Sequence, residues 1–220
     1  MLLQIADILT RDECAAILEA LAEDKYWRDG GETAKGAART VKNNRQADRE
    51  APAVRGVLKK IEQALNANPV FRAAAQPSRY ARIMLNRYGP GMTYGDHVDA
   101  PYIDGTRTDL SFTVFLCDPE SYEGGALVID NAGHEDVIKG PPGSVVLYPS
   151  TAVHRVEEVT KGARISCVGW IKSRIKSADH RAILFELERA IHDLNEMNAP
   201  APLRTRFANI RNNLIRTFGE

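Results

Sequence analysis

A chain of 220 residues can enclose one substantial core, and Lys plus Arg balance Asp plus Glu at 29 each. That balance excludes the broad positive field expected of a nucleic-acid or anionic-membrane binder. The three cysteines, Cys14, Cys117 and Cys167, are odd in number and widely spaced, so they read as buried free thiols rather than a disulfide framework.

From Met1 to Asp7 there is no basic leader, and no segment approaches the ~20 apolar residues needed to cross a bilayer. The expectation is a cytoplasmic protein without membrane contact. Thr10-Arg11-Asp12-Glu13 has the spacing of a capping box, opening a helix to about Glu23 with Cys14, Ile17, Leu18 and Leu21 on one face. Residues 29–47 are polar and glycine-rich (Gly30, Gly31, Gly36), which predicts a mobile loop of a length that often covers active sites. Val54 to Leu65 repeats Val54, Leu58, Ile61 and Leu65 at helical spacing.

The texture then changes to short runs rich in Val, Ile, Phe and Tyr, punctuated by Gly-Pro, Asp-Gly, Gly-Gly and Pro-Pro-Gly. Strands are predicted over Ala81–Tyr88, Leu110–Leu116, Ala126–Asp130, Glu135–Ile138, Ser144–Tyr148 and Ala163–Trp170, in the pattern of a jelly roll. Helical periodicity returns at Ile183, Leu184, Leu187, Ile191 and Leu194; Pro200 and Pro202 interrupt it before a last segment from Leu203 to Phe218. These apolar stripes can cover the sandwich or pair with a second copy as a homodimer. The reading is therefore mainly β with flanking helices (α+β): a helical support region over 1–77, a β domain over 78–172, and a helical region over 173–220.

The residues that can carry chemistry lie in the β region. In His97-Val98-Asp99 an extended backbone sends the imidazole and the carboxylate to one face and Val98 to the other. His154 lies 55 residues beyond Asp99, beside a predicted core strand, and a closed sandwich brings such strands together. Two imidazoles and one carboxylate form the facial triad of non-haem iron(II) oxygenases, with three octahedral positions left open. Zinc also accepts this ligand set, so a metallohydrolase and a noncatalytic metal sensor stay open on the triad alone. Arg164, ten residues past His154 and beyond the turn Thr160-Lys161-Gly162, argues against both. A hairpin return would carry it further into the same barrel, and its planar fork suits a carboxylate. Ser166, Val168 and Trp170 continue its face.

These residues, with Asn86-Arg87-Tyr88-Gly89-Pro90-Gly91-Met92, Arg107-Thr108-Asp109-Leu110-Ser111, Tyr122-Glu123-Gly124-Gly125-Ala126-Leu127 and Leu147-Tyr148-Pro149-Ser150, resemble the motif set of the 2-oxoglutarate/iron(II) dioxygenases. The wording is closest to the prolyl-4-hydroxylase-like branch called PKHD-type hydroxylases. The resemblance implies a distorted double-stranded β-helix (jelly roll, cupin-like), iron(II) on His97, Asp99 and His154, and 2-oxoglutarate on Arg164, Ser166 and Tyr88. It also implies ascorbate as reductant, a connection with iron homeostasis, and a small-molecule or peptidyl substrate. Tyr102, Arg107 and Trp170 are candidates for the substrate pocket, each with a packing explanation of equal weight. His134 reads as a solvated turn residue, His180 and His192 as polar positions on helices, and Gly124-Gly125 as a turn or bulge.

Overall fold

The computed structural model describes residues 1–33 and 40–220. Among these, two antiparallel sheets pack face to face, with strands numbered in chain order. The larger runs β1 (Leu3–Ile5), β13 (Val145–Pro149), β9 (Leu110–Phe115), β15 (Arg164–Ser173), β5 (Pro77–Tyr88), β4 (Arg45–Ala47), β2 (Trp27–Asp29). The smaller runs β12 (His134–Ile138), β11 (Leu127–Asn131), β14 (His154–Lys161), β6 (Met92–His97), β3 (Lys42–Asn43), with β10 (Glu123–Gly124) added to β14. A separate hairpin joins β7 (Tyr102–Ile103) to β8 (Thr106–Arg107).

Alternation divides the large sheet between two environments. Phe112, Val114, Leu147, Cys167 and Ile171 face outward and meet residues of α1 (Arg11–Ala20), α2 (Pro52–Ala67), α3 (Pro69–Ala75) and α4 (Ala178–Glu196) in one core. Its packing is specific: the rings of Phe71 and Phe112 meet edge to face, centroids 5.9 Å apart. Tyr88, Phe115, Val146 and Tyr148 face inward and meet Leu127, Ile129, Val156 and Val159 of the small sheet. All three cysteines are free and buried, and burial raises each thiol pKa, which leaves them as inert core residues. The helix α5 (Ala201–Phe218) packs on α4 and has no buried residue.

The capping box forms as expected, with Glu13 N donating to Thr10 Oγ1 at 3.2 Å and Thr10 N to Glu13 Oε2 at 2.9 Å. The six predicted strands are present with ends shifted by a few residues. Residues 29–47 differ from expectation. Their polarity suggested a loop, but β3 pairs with β6 and β4 pairs with β5, so backbone hydrogen bonding decides where side chains gave no signal. The part of that predicted lid over 34–39 lies outside the described residues. Strands β1, β2 and β4 also draw the first 77 residues into the large sheet.

The return from His154 to Arg164 was expected to be a paired hairpin. Instead β14 and β15 lie in different sheets, so His154 and Arg164 approach one interior space from opposite walls. Gly124-Gly125 is the bulge expected: the register of β10 against β14 shifts there, and both residues have positive φ (70° and 64°). A Cβ on Gly124 would overlap the carbonyl oxygen of Glu158. Gly124→Ala should therefore destabilise the fold by about 2 kcal/mol or more in urea unfolding; a loss under about 0.5 kcal/mol would show the bulge is not required.

Candidate active site

His97 ends β6 and His154 begins β14, and the two are direct partners in the ladder. Asp99 follows His97 on the same side, while Val98 points away and is 50% exposed. One donor atom from each of His97, Asp99 and His154 falls within 4.8 Å of the others. Each imidazole is oriented by a carbonyl two residues before it: Nδ1 of His97 lies 2.8 Å from Gly95 O, and Nδ1 of His154 lies 3.0 Å from Ala152 O. Because a carbonyl only accepts, both Nδ1 atoms carry the hydrogen and both Nε2 lone pairs are left for a cation. Burial, reinforced by His154, pushes the His97 pKa down to about 4, so this ring is neutral at pH 7. Tyr94 stacks on its face at 3.6 Å.

The triad opens into a cavity of about 690 Å³ between the sheets. Arg164 and Tyr88, cross-strand partners in β15 and β5, line the same cavity. Arg164 is 2% exposed. Nη1 donates to Ser166 Oγ at 2.9 Å, the guanidinium carbon sits 5.3 Å from the Tyr88 ring, and Nε has no partner. Among the described residues no carboxylate is ion-paired with it. A buried cation left this way costs several kcal/mol unless an anion completes the site. The residues thus fit a borderline divalent cation such as iron(II) on the triad and a carboxylate on Arg164.

Comparison with known proteins agrees with this geometry. Residues 83–172 match the 2OG-Fe(II) oxygenase superfamily. A PKHD-type hydroxylase of Parvibaculum lavamentivorans is 41% identical over 220 residues, covering 100% of both chains. The chain belongs to the PKHD-type hydroxylases. It is accordingly an iron(II)- and 2-oxoglutarate-dependent dioxygenase, which hydroxylates a substrate while 2-oxoglutarate and O₂ become succinate and CO₂. The fold is shared with a Pseudomonas putida prolyl-4-hydroxylase, at TM-score 0.53 and 23% identity over 79% of this chain and 92% of that one. It is shared as well with a Trichoplax adhaerens prolyl hydroxylase solved with a hypoxia inducible factor peptide, at TM-score 0.54 and 15% identity over 77% and 83%.

The hydroxylase places its other predicted site residues unevenly. Trp170 lines the cavity, level with Ser111 in the sheet, and its indole N–H is buried without a partner. Tyr102 stands at the cavity edge, 64% exposed. Ser166 is fully buried behind Arg164. Arg107 does not line the cavity: its guanidinium bonds Asp109 at 2.8 and 3.1 Å and the Glu220 carboxylate at 2.7 Å, tying the C-terminus to β8. Its position near the site in sequence misled, because the ready carboxylate of Asp109 two residues on captures the fork. The Asp109 side chain is 8% exposed, so Arg107→Ala would strand a buried charge and should cost about 3 kcal/mol in denaturant unfolding. An unchanged midpoint would refute that structural role.

His134 is exposed at the start of β12, and His180 stacks on Phe218 at 3.7 Å, away from the cavity. Sequence reasoning missed Lys42, Tyr94, Ser111 and Ser150. The available signal for Ser111 was a polar residue at alternate positions in an otherwise apolar strand, Leu110-Ser111-Phe112-Thr113-Val114-Phe115.

Proposed function

We propose that His97, Asp99 and His154 hold iron(II), and that Arg164, with Ser166 and Tyr88, holds the distal carboxylate of 2-oxoglutarate. The observation that carries this reading is the buried, carboxylate-free Arg164 opening onto the same cavity as the triad. Iron bound there would supply oxidative decarboxylation of the 2-oxo acid and activation of dioxygen. The protein's own contribution is placement. Gly95 and Ala152 carbonyls fix the imidazoles, and Ser166 sets the plane of the Arg164 fork. Tyr88 keeps its proton because burial raises its pKa, so its hydroxyl is available to donate. The inward aromatic residues Tyr88, Phe115 and Tyr148 keep bulk water from the interior.

The substrate, a small molecule or a peptidyl side chain, would enter past Tyr102 and meet Trp170. The free indole N–H supports a substrate with a hydrogen-bond acceptor near the reacting carbon. Lys42 lines the same cavity, its nitrogen 5.3 Å from the centre of the Tyr94 ring, and favours an acceptor that carries negative charge. Ascorbate as reductant, a cytoplasmic setting and a connection with iron homeostasis rest on the family resemblance. Among the described residues no helix is long and apolar enough to cross a membrane. Ile183, Leu203 and Ile210, exposed on α4 and α5, support the homodimer reading, which sedimentation would test.

The functional reading is tested by purifying the protein anaerobically and assaying succinate release across candidate substrates. Release should require iron(II), 2-oxoglutarate and O₂ together, and zinc should not substitute. Occupancy by zinc alone, without affinity for 2-oxoglutarate, would favour a hydrolase instead.

A further inference from the structure

The three metal-binding side chains are not supported alike. His97 and His154 are each oriented by a carbonyl two residues earlier in the chain. Asp99 lies just past the end of β6, outside any ladder, and among the described residues its one hydrogen-bond donor is Ser111, whose Oγ is 2.6 Å from Oδ2. Ser111 belongs to β9, in the opposite sheet. Its own Oγ lies 2.8 Å from that of Ser150. The direction of this pair follows from chemistry: an ionised carboxylate can only accept, so Ser111 gives its proton to Asp99 and Ser150 must donate to Ser111. Both serines are buried, at 2% and 3% exposure, so water does not compete.

The outer end of the relay is anchored as well. Ser150 N donates to the carbonyl of Asp109 at 3.3 Å. The carboxylate of Asp109 is held by Arg107 and by Ser173 N at 2.9 Å. We infer that Ser111 and Ser150 are positioning residues: a two-hydroxyl relay fixes the rotation of the Asp99 carboxylate and thereby sets metal affinity. The inference rests on the reading that His97, Asp99 and His154 hold the metal. Outer partners of metal ligands typically carry a 10–100-fold effect on affinity, because an unsupported ligand must lose its rotational freedom on binding.

The test uses the full chain and manganese(II), which binds oxygen and nitrogen ligands without oxidation, in calorimetric titration with no turnover. Ser111→Ala should raise the manganese Kd about 10–100-fold, and Ser150→Ala should raise it by less, about 3–10-fold, because Ser111 keeps its own bond to Asp99. Ser144→Ala is the control: Ser144 is a buried serine that donates to Pro141 O, and its loss should leave Kd unchanged. Metal-free melting of Ser150→Ala, which leaves the bond from Ser111 to Asp99 in place, should stay near that of the control, which a merely structural role would not allow. Wild-type affinity in both variants, with binding lost in His97→Ala, would overturn the relay. Wild-type affinity in His97→Ala itself would overturn the metal-site reading on which the relay depends. If Ser111→Ala does not fold, Ser150→Ala decides alone.

Discussion

Replacing His97, Asp99 or His154 singly by Ala should lower 2-oxoglutarate-dependent succinate formation by more than about a hundredfold, since even outer partners of metal ligands cost up to that much. The same variants should purify with far less than one iron per chain after anaerobic reconstitution. The physical basis is that two imidazoles and one carboxylate, with donor atoms within 4.8 Å of one another, converge on a single cation. Removing one leaves a two-ligand site that exchanges freely with solvent. The folded state should survive, because the rings are held by local carbonyls rather than by each other. Full turnover in any one variant would remove that residue from the triad.

Arg164→Met should abolish the stabilisation that 2-oxoglutarate gives the metal-loaded wild type. At a hundred times Kd that stabilisation is about 2.7 kcal/mol, or roughly 5–10 °C in melting temperature for a chain of this size. Two charge-assisted hydrogen bonds to one carboxylate, at about 1.5–3 kcal/mol each, correspond to roughly two to four orders of magnitude in affinity. The ligand-free variant should be at least as stable as wild type, since methionine fills the space of a buried cation whose Nε has no partner. This opposite movement of stability and affinity distinguishes a ligand-binding arginine from a structural one. A structural arginine would lose stability without ligand, as expected for Arg107, whose fork is already occupied. Arg164→Lys would not restore affinity, because an ammonium cannot form the planar pair.

Strand β15, which carries Arg164, was legible because it is both apolar and alternating, whereas β6 and β14, whose ends carry His97 and His154, were not among the predicted strands. Arg164, Ser166, Val168 and Trp170 share a face on β15, and Ile165, Cys167 and Ile171 occupy the other. His97-Val98-Asp99 was legible from its ligand types and from the i, i+2 geometry of an extended backbone. What stayed hidden was pairing between elements. Lys42–Asn43 and Arg45–Ala47 have no apolar rhythm, and their strand character comes from hydrogen bonds to distant partners, Tyr94 and Thr93 of β6 and Arg87 and Asn86 of β5. The crossing from β14 to β15 was hidden too, because a tight turn at Gly162 serves a change of sheet as well as a hairpin. The serine relay was hidden for a different reason: Ser111 and Ser150 stood only at the ends of quoted motifs, and it takes the pairing of β9 with β13 to set Ser150 against Ser111, which in turn meets Asp99.

Turnover depends on one spatial relation, a metal on three residues and an arginine gripping the far end of the same co-substrate. The most direct measurement is anaerobic crystallography with manganese(II) and 2-oxoglutarate, using the anomalous signal of the metal. One peak bonded to His97, Asp99 and His154 is the expected result, with the 2-oxo acid spanning from it to a paired contact at Arg164. A metal peak elsewhere, or a co-substrate whose distal carboxylate avoids Arg164, would contradict it.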